Sequence, residues 1–376
     1  MHRTVATCLG TLALASFGVF ALPSAAGASP GRSAGGFTPF LDTLHTVVNV
    51  ASTVPRNGDV NPYGITTVPY SVGKLVRNDT LISNFNAKSN LQGTGTTIVQ
   101  ISRSGHRSLF ARLHGALPGA CPGGIGLTTA LTILEGGYVV VGSLPVTHGG
   151  SGNPEAGCLI VLNAEGVAVE TWSGSLINGP WDLTSVAVPG FAEIFVTNVL
   201  NGIVPGDENV VDQGTVVRLL IATPQGSAPE LLHETVIGTG FDEQLNSSAL
   251  VLGPTGVALG DDGTLYVADT INSRIASIPF APFRFSAVGN GGYTVSSGGA
   301  LQEPLGLMLA PNGDVIAANA SNGNAVEVTP SGQQVANVQM DPLNSGGDLF
   351  GLTLSPNHKA ILFVDDGDNT LKRFRP

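Results

Sequence analysis

An all-β fold, a six-bladed β-propeller of four-stranded antiparallel blades, is what this sequence predicts, and three observations predict it. The first is composition: of 376 residues 42% are hydrophobic and only 11% charged, with 51 Gly and 24 Pro. Helical bundles are rich in Ala, Glu, Lys, Leu and Arg, so this balance points to short strands joined by many turns. The second is a unit that recurs six times, its copies 45 to 74 residues apart, near the period of propeller blades. The third is an unpaired apolar run near the amino terminus that matches a strand missing from the last unit.

The clearest copy is "GPTGVALGDDGTLYVADTINSRIASI", residues 253–278. A Pro-x-Gly turn opens it, a short apolar run follows, Asp-Asp-Gly makes a hairpin turn, and two further runs complete it. The other opening turns are "NPYGITTVP", "CPGGIGLTTA", "NGPWDLTSV", "QEPLGLMLA" and "DLFGLTLS", which align on Gly64, Gly126, Asp182, Gly256, Gly306 and Gly351. The second runs are "TLISNF", "YVVVGS", "EIFVTN", "TLYVAD", "DVIAAN" and "ILFVDD". These runs are short and rich in Val, Ile and Leu, as in strands buried on both faces. One such sheet cannot bury its faces alone, whereas several packed radially can. The sixth unit reaches Pro376 after three strands, so "HTVVNVASTV", residues 45–54, is expected to supply the fourth and remove an open sheet edge.

The ends of the chain and its charge bound the function. Arg3, the apolar residues 5–21 and the small residues 26–28 read as a signal peptide, cleaved after Ala28, for a secreted or periplasmic protein. Residues 29–44 are expected to be a flexible segment and residues 45–376 a single propeller domain, with no membrane span after cleavage. Cys121 and Cys158, the two cysteines beyond the signal, are expected to form a disulfide. A formal charge of −11 with no basic stripe speaks against a nucleic-acid partner.

The repeat "PTGVALGDDGTLYVADTINSRI" resembles the NHL type, P-x-G-[VI]-A-x-[DN]-x-x-G-x-[LIV]-[YW]-V-[AT]-D-x-x-N-x-R-[IV]. The fourth unit matches closely, the fifth and sixth well and the first three loosely, so the resemblance runs from about Asn61 to the end. It implies the propeller fold, a scaffold that hosts enzymes, ligand binders and interaction modules alike. The fold also resembles that of the gluconolactonase and paraoxonase-type hydrolases, whose channel holds a divalent cation on oxygen ligands before the Gly-Leu of a Pro-Asn-Gly-Leu turn. The matching positions here are Tyr63, Trp181, Thr255, Leu305 and Phe350, none a carboxylate or amide, and hard cations need oxygen ligands. No cofactor is expected, with a divalent cation as the one the resemblance leaves open. No H-x-H, HExxH or Cys/His ladder is present.

In an antiparallel blade the first strand starts at the face where the second ends. Two rings should therefore surround one mouth of the channel. Tyr63, Ile125, Trp181, Thr255, Leu305 and Phe350 precede the anchors. Asn84, Ser143, Asn198, Asp269, Asn319 and Asp366 end the second strands. The first ring either binds an apolar ligand or plugs the channel. The second either forms a polar ligand ring or ties down the following turns, as Asn and Asp do readily. Units one to three carry insertions on this face, residues 86–95, 145–157 and 199–214, and His148 lies on the second. Long pinned loops on one face point to function. The expectation is a module that binds a small molecule or protein through this face, the alternative being a lactonase-like hydrolase or lyase acting there.

Overall fold

The computed structural model describes residues 38–146, 153–247, 249–341 and 349–376. Six antiparallel sheets follow one another along the chain, and the first strand of each is its innermost. These inner strands are Val60–Thr67, Leu127–Leu134, Pro180–Val188, Pro254–Leu259, Pro304–Leu309 and Leu349–Leu354. Each touches the next, and the sixth touches the first, so they form a closed ring around a central channel. Hydrophobic clusters fill the spaces between neighbouring blades. The second strands, such as Leu265–Asp269 and Val315–Asn319, are buried throughout because a blade covers each of their faces.

Inner strands approach backbone to backbone. A Cβ at Gly306 would lie 2.1 Å from the Phe350 carbonyl oxygen, and one at Gly351 would lie 2.3 Å from that of Tyr63. That is the physical reason for glycine at the repeat's anchor.

Closure is as the sequence predicts. Thr46–Ser52 pairs antiparallel with Thr370–Arg375, placing Thr46 opposite Arg375, so the last blade contains both ends of the propeller. The lead-in also packs. Leu41 and Leu44 are buried, and the Phe40 and Leu41 amides donate to the two Glu327 carboxylate oxygens at 2.8 and 2.7 Å. Residues 40–44, part of the segment expected to be flexible, are thereby stapled to the fifth blade.

The third blade departs from four strands. Its fourth strand, Glu230–Asn246, runs on beyond the sheet and turns back into a short fifth, Leu250–Leu252. Cys121 and Cys158 are bonded, with their Cα atoms 5.2 Å apart. No helix among the described residues is long and apolar enough to cross a membrane.

Candidate functional site

The loop-bearing end of the channel is packed shut. Tyr63 stacks on Phe350 with ring centroids 3.8 Å apart and lies 4.8 Å from Phe85 and 6.0 Å, edge on, from Trp181. Tyr63 is 1% exposed, Trp181 2% and Phe350 6%. The roots of the insertions add Leu144, Val146 and Val199 to this cluster, and the extra hairpin of blade three adds Leu245, Leu250 and Val251. Of the two readings of the aromatic ring, the geometry is that of a plug. Thr255 is equally enclosed, its hydroxyl 2.8 Å from that of Thr270 and 3.1 Å from the Leu305 carbonyl oxygen.

The insertion of blade three is held down by a buried acid. Glu243 accepts the Gly202 amide at 2.9 Å. Burial pushes its carboxyl up to about 7, against the lowering effect of the Gly202, Asn201 and Leu200 amides. His148 lies outside the described residues.

The polar ring is also buried, and its side chains hold turns. Asn198 accepts from the Gly179 amide at 2.8 Å, Ser143 from the Gly126 amide at 2.8 Å, and Asn319 from the Gln302 amide at 3.1 Å. Each thus grips the opening turn of its own blade. Asn84 donates to the Thr53 carbonyl at 3.3 Å and to the Thr97 hydroxyl at 3.2 Å. Asp269 accepts from Arg274 Nε at 2.6 Å and from Asn272 at 3.1 Å, and Arg274 goes on to the Gly291 carbonyl at 3.0 Å. The Asp, Asn and Arg of "DTINSR" are one clamp on the turn between two strands.

Two registers need correction. In blade six the residue opposite Leu349 is Asp365, as Asp269 is opposite Pro254, so Asp365 is the ring member and Asp366 lies one step beyond the strand. Asp365 is buried and pairs with Lys372. In blade two Leu131 pairs with Val141 where Val257 pairs with Val267, which makes Ala130 the anchor and Thr129 the residue before it, in place of Gly126 and Ile125. The bulge in this strand holds one more residue than its counterparts, and three nearby glycines disguise the shift.

With the registers corrected, the anchors are Gly64, Ala130, Asp182, Gly256, Gly306 and Gly351. Five carry no side chain beyond a methyl group, and the sixth is an acid. Behind the plug the channel opens as a cavity of about 340 Å³ toward the opposite face, where the inner strands end. Trp181, Leu305 and Phe350 form its floor, Thr132, Thr184, Ser185 and Thr353 line its sides, and Asp182 is its one carboxylate. Asp182 accepts the Val257 amide at 3.1 Å. Thr129 donates to the Trp181 carbonyl and sits beside the carboxylate. Thr132 and Ser185 share a hydrogen bond of 2.7 Å across adjacent blades.

Burial raises the Asp182 carboxyl to about 7, against the lowering effect of the Leu183 and Val257 amides and the Thr129 hydroxyl. Its side chain is reached by water only down the channel, so it exchanges protons near neutral pH inside a cavity of molecular size. The Leu183 and Val257 amides beside it are donors and cannot themselves ligate a cation. Among the described residues no three His, Cys, Asp or Glu side chains come together as a metal site. The sequence showed Asp182 as the odd anchor of six, and that is the signal that finds it.

Residues 252–276, the clearest repeat and the Asp269 clamp, match the NHL repeat. Among solved structures, a gluconolactonase from Xanthomonas campestris is 14% identical with a TM-score of 0.51, covering 88% of this chain and 89% of that one. A luciferin-regenerating enzyme is 10% identical with a TM-score of 0.52, covering 88% and 95%. These likenesses show the six-bladed propeller fold. No curated protein matches the chain by sequence.

Proposed function

We propose that this chain is an exported ligand-binding propeller that takes a small molecule into its central channel from the face opposite the long loops. The observation that carries the reading is Asp182, a lone carboxylate at a position that is glycine or alanine in every other blade, set in a cavity of about 340 Å³. Ligand sites are concave and carry a few placed polar groups, and this channel sets Asp182 and the hydroxyls of Thr132, Thr184, Ser185 and Thr353 beside apolar side chains. The ligand presents a hydroxyl or amine to Asp182 and an apolar body to Leu131, Leu307 and Met308. The Cys121–Cys158 bond supports an oxidising compartment and hence export.

A carboxyl poised at about 7 also favours a second reading, in which Asp182 acts as general acid or base on the bound molecule. Trp181, one of two tryptophans in the chain, lies in the cavity floor, so its fluorescence reports occupancy. A fragment library screened by this signal is expected to yield ligands whose affinity falls about tenfold or more in Asp182→Asn, the loss of one charge-assisted hydrogen bond. Hits that bind both proteins equally would remove the proposal. Turnover of a hit that disappears in the same variant would replace it with the enzyme reading.

A further inference from the structure

A second cavity lies between blades one and six, on the face where the channel opens. It has a volume of about 510 Å³ and is lined by Arg77, Arg103, Lys359, Arg373 and Arg375. The whole chain has 16 Lys and Arg against 27 Asp and Glu, so five cations in one groove run against the composition of the protein. No Asp or Glu side chain lines it, Pro376 brings the one carboxylate among the lining residues, and Asp79, two residues after Arg77, is buried and does not line it.

The five come from four separate places. Arg77 precedes the second strand of blade one, Thr80–Asn86, and Arg103 sits in the hairpin before Arg107–Arg112. Lys359 is in the turn before Ile361–Asp365, and Arg373 and Arg375 end the strand Thr370–Arg375. The closing strand of the propeller therefore assembles the groove, since it contributes Val50 to the floor beside Leu371. Arg373 Nη2 donates to the Arg103 carbonyl at 3.4 Å, which holds two of the cations side by side. Ser355 and Asn357 bond at 2.8 Å and order the turn that carries Lys359. None of the five joins an ion pair among the described residues, where the pairs involve Arg218, Arg274 and Lys372.

Like charges gathered in a concavity repel one another, and a bound anion relieves that repulsion. Guanidinium forks match carboxylate and phosphate oxygens in pairs, which an ammonium does not. The floor, in contrast, is apolar, with Leu362 and Leu371 beneath Val50 and Pro356. We propose that this groove binds a small organic polyanion, with two or more carboxylate or phosphate groups on the arginines and its carbon body on that floor.

Titration calorimetry of the full chain at constant ionic strength tests this, with citrate and pyrophosphate as separate probes. One-to-one binding of citrate alone assigns a carboxylate ligand, and of pyrophosphate alone a phosphate ligand. Arg77→Gln with Arg373→Gln is expected to weaken binding about tenfold or more. Arg56→Gln with Arg112→Gln removes the same charge from exposed positions outside the groove and is expected to change affinity less than about twofold. Thermal melting of both variants checks that each is folded. No binding of either probe at millimolar concentration, or equal losses in the two double variants, would overturn the proposal.

Discussion

The two ends of the central channel are built from the same six strands and differ in everything that decides function. At one end lie the long insertions, the disulfide and the ring of aromatic residues. That end is closed, because the insertions and the extra hairpin of blade three send apolar side chains onto Tyr63, Trp181 and Phe350. At the other end the connections 68–79 and 279–292 are as long but do not line the channel, and there the cavity remains, with Asp182 inside it. The apolar roots of the insertions thus mark the place that is sealed here. The open site is found instead by asking which blade breaks the glycine rule of the inner strand.

The sharpest way to break this comparison is to remove the centre of the plug. Phe85→Ala is expected to cost about 3–5 kcal/mol in urea unfolding, as for large aromatic groups truncated in a packed core. Phe85 is chosen because it lies in the cluster without lining the cavity. A loss below about 1 kcal/mol would mean that this end is a loose mouth. Next in size is the disulfide that pins the second insertion. Its residues are 37 apart in sequence, and replacing both cysteines by serine is expected to lower stability by about 2–4 kcal/mol on the chain-entropy view.

The open end is tested by pH. The folded carboxyl of Asp182 lies at about 7, above its ordinary 3.8, so between those values the folded state binds more protons than the unfolded one. Stability therefore falls as pH rises from about 4 to about 7, and above that range the cost stays constant. Asp182→Asn removes this contribution, and its advantage over the parent protein is expected to grow by about 1–3 kcal/mol between pH 4 and pH 8, with channel water screening the rest. Glu243, also raised to about 7, titrates with the same sign and leaves a residual slope in the variant. Parallel pH profiles for the two proteins would show that Asp182 is not held in a dry site.

Much of the fold was legible because a repeat states its own boundaries. The turn residues and apolar runs located every inner and second strand, and the missing strand of the last unit pointed to residues 45–54. Register was harder. Gly126 imitates an anchor that is really Ala130, and two successive aspartates in "VDD" hide which one ends the strand. Which of the two readings of the aromatic ring holds was not legible. It depends on the hairpin in which Gln244, Leu245 and Asn246 pair with Leu250–Leu252, a segment with no counterpart in the other units. Asp182 was visible as the odd anchor of six, and its meaning came only with the cavity around it and the burial of its carboxyl.

Cysteine accessibility tests the central contrast most directly. With Cys8 replaced by serine, and Cys121 and Cys158 bonded, a single introduced thiol is the only reactive one in the chain. Ser185→Cys, in the open wall of the cavity, and Leu144→Cys, in the plug, would be treated with a small methanethiosulfonate reagent. Rapid modification at residue 185, with residue 144 slower by about a hundredfold or more, is the predicted result, since reaction in the plug requires local opening. Equal rates, or a faster reaction at residue 144, would show that the channel opens toward the long loops and contradict the account.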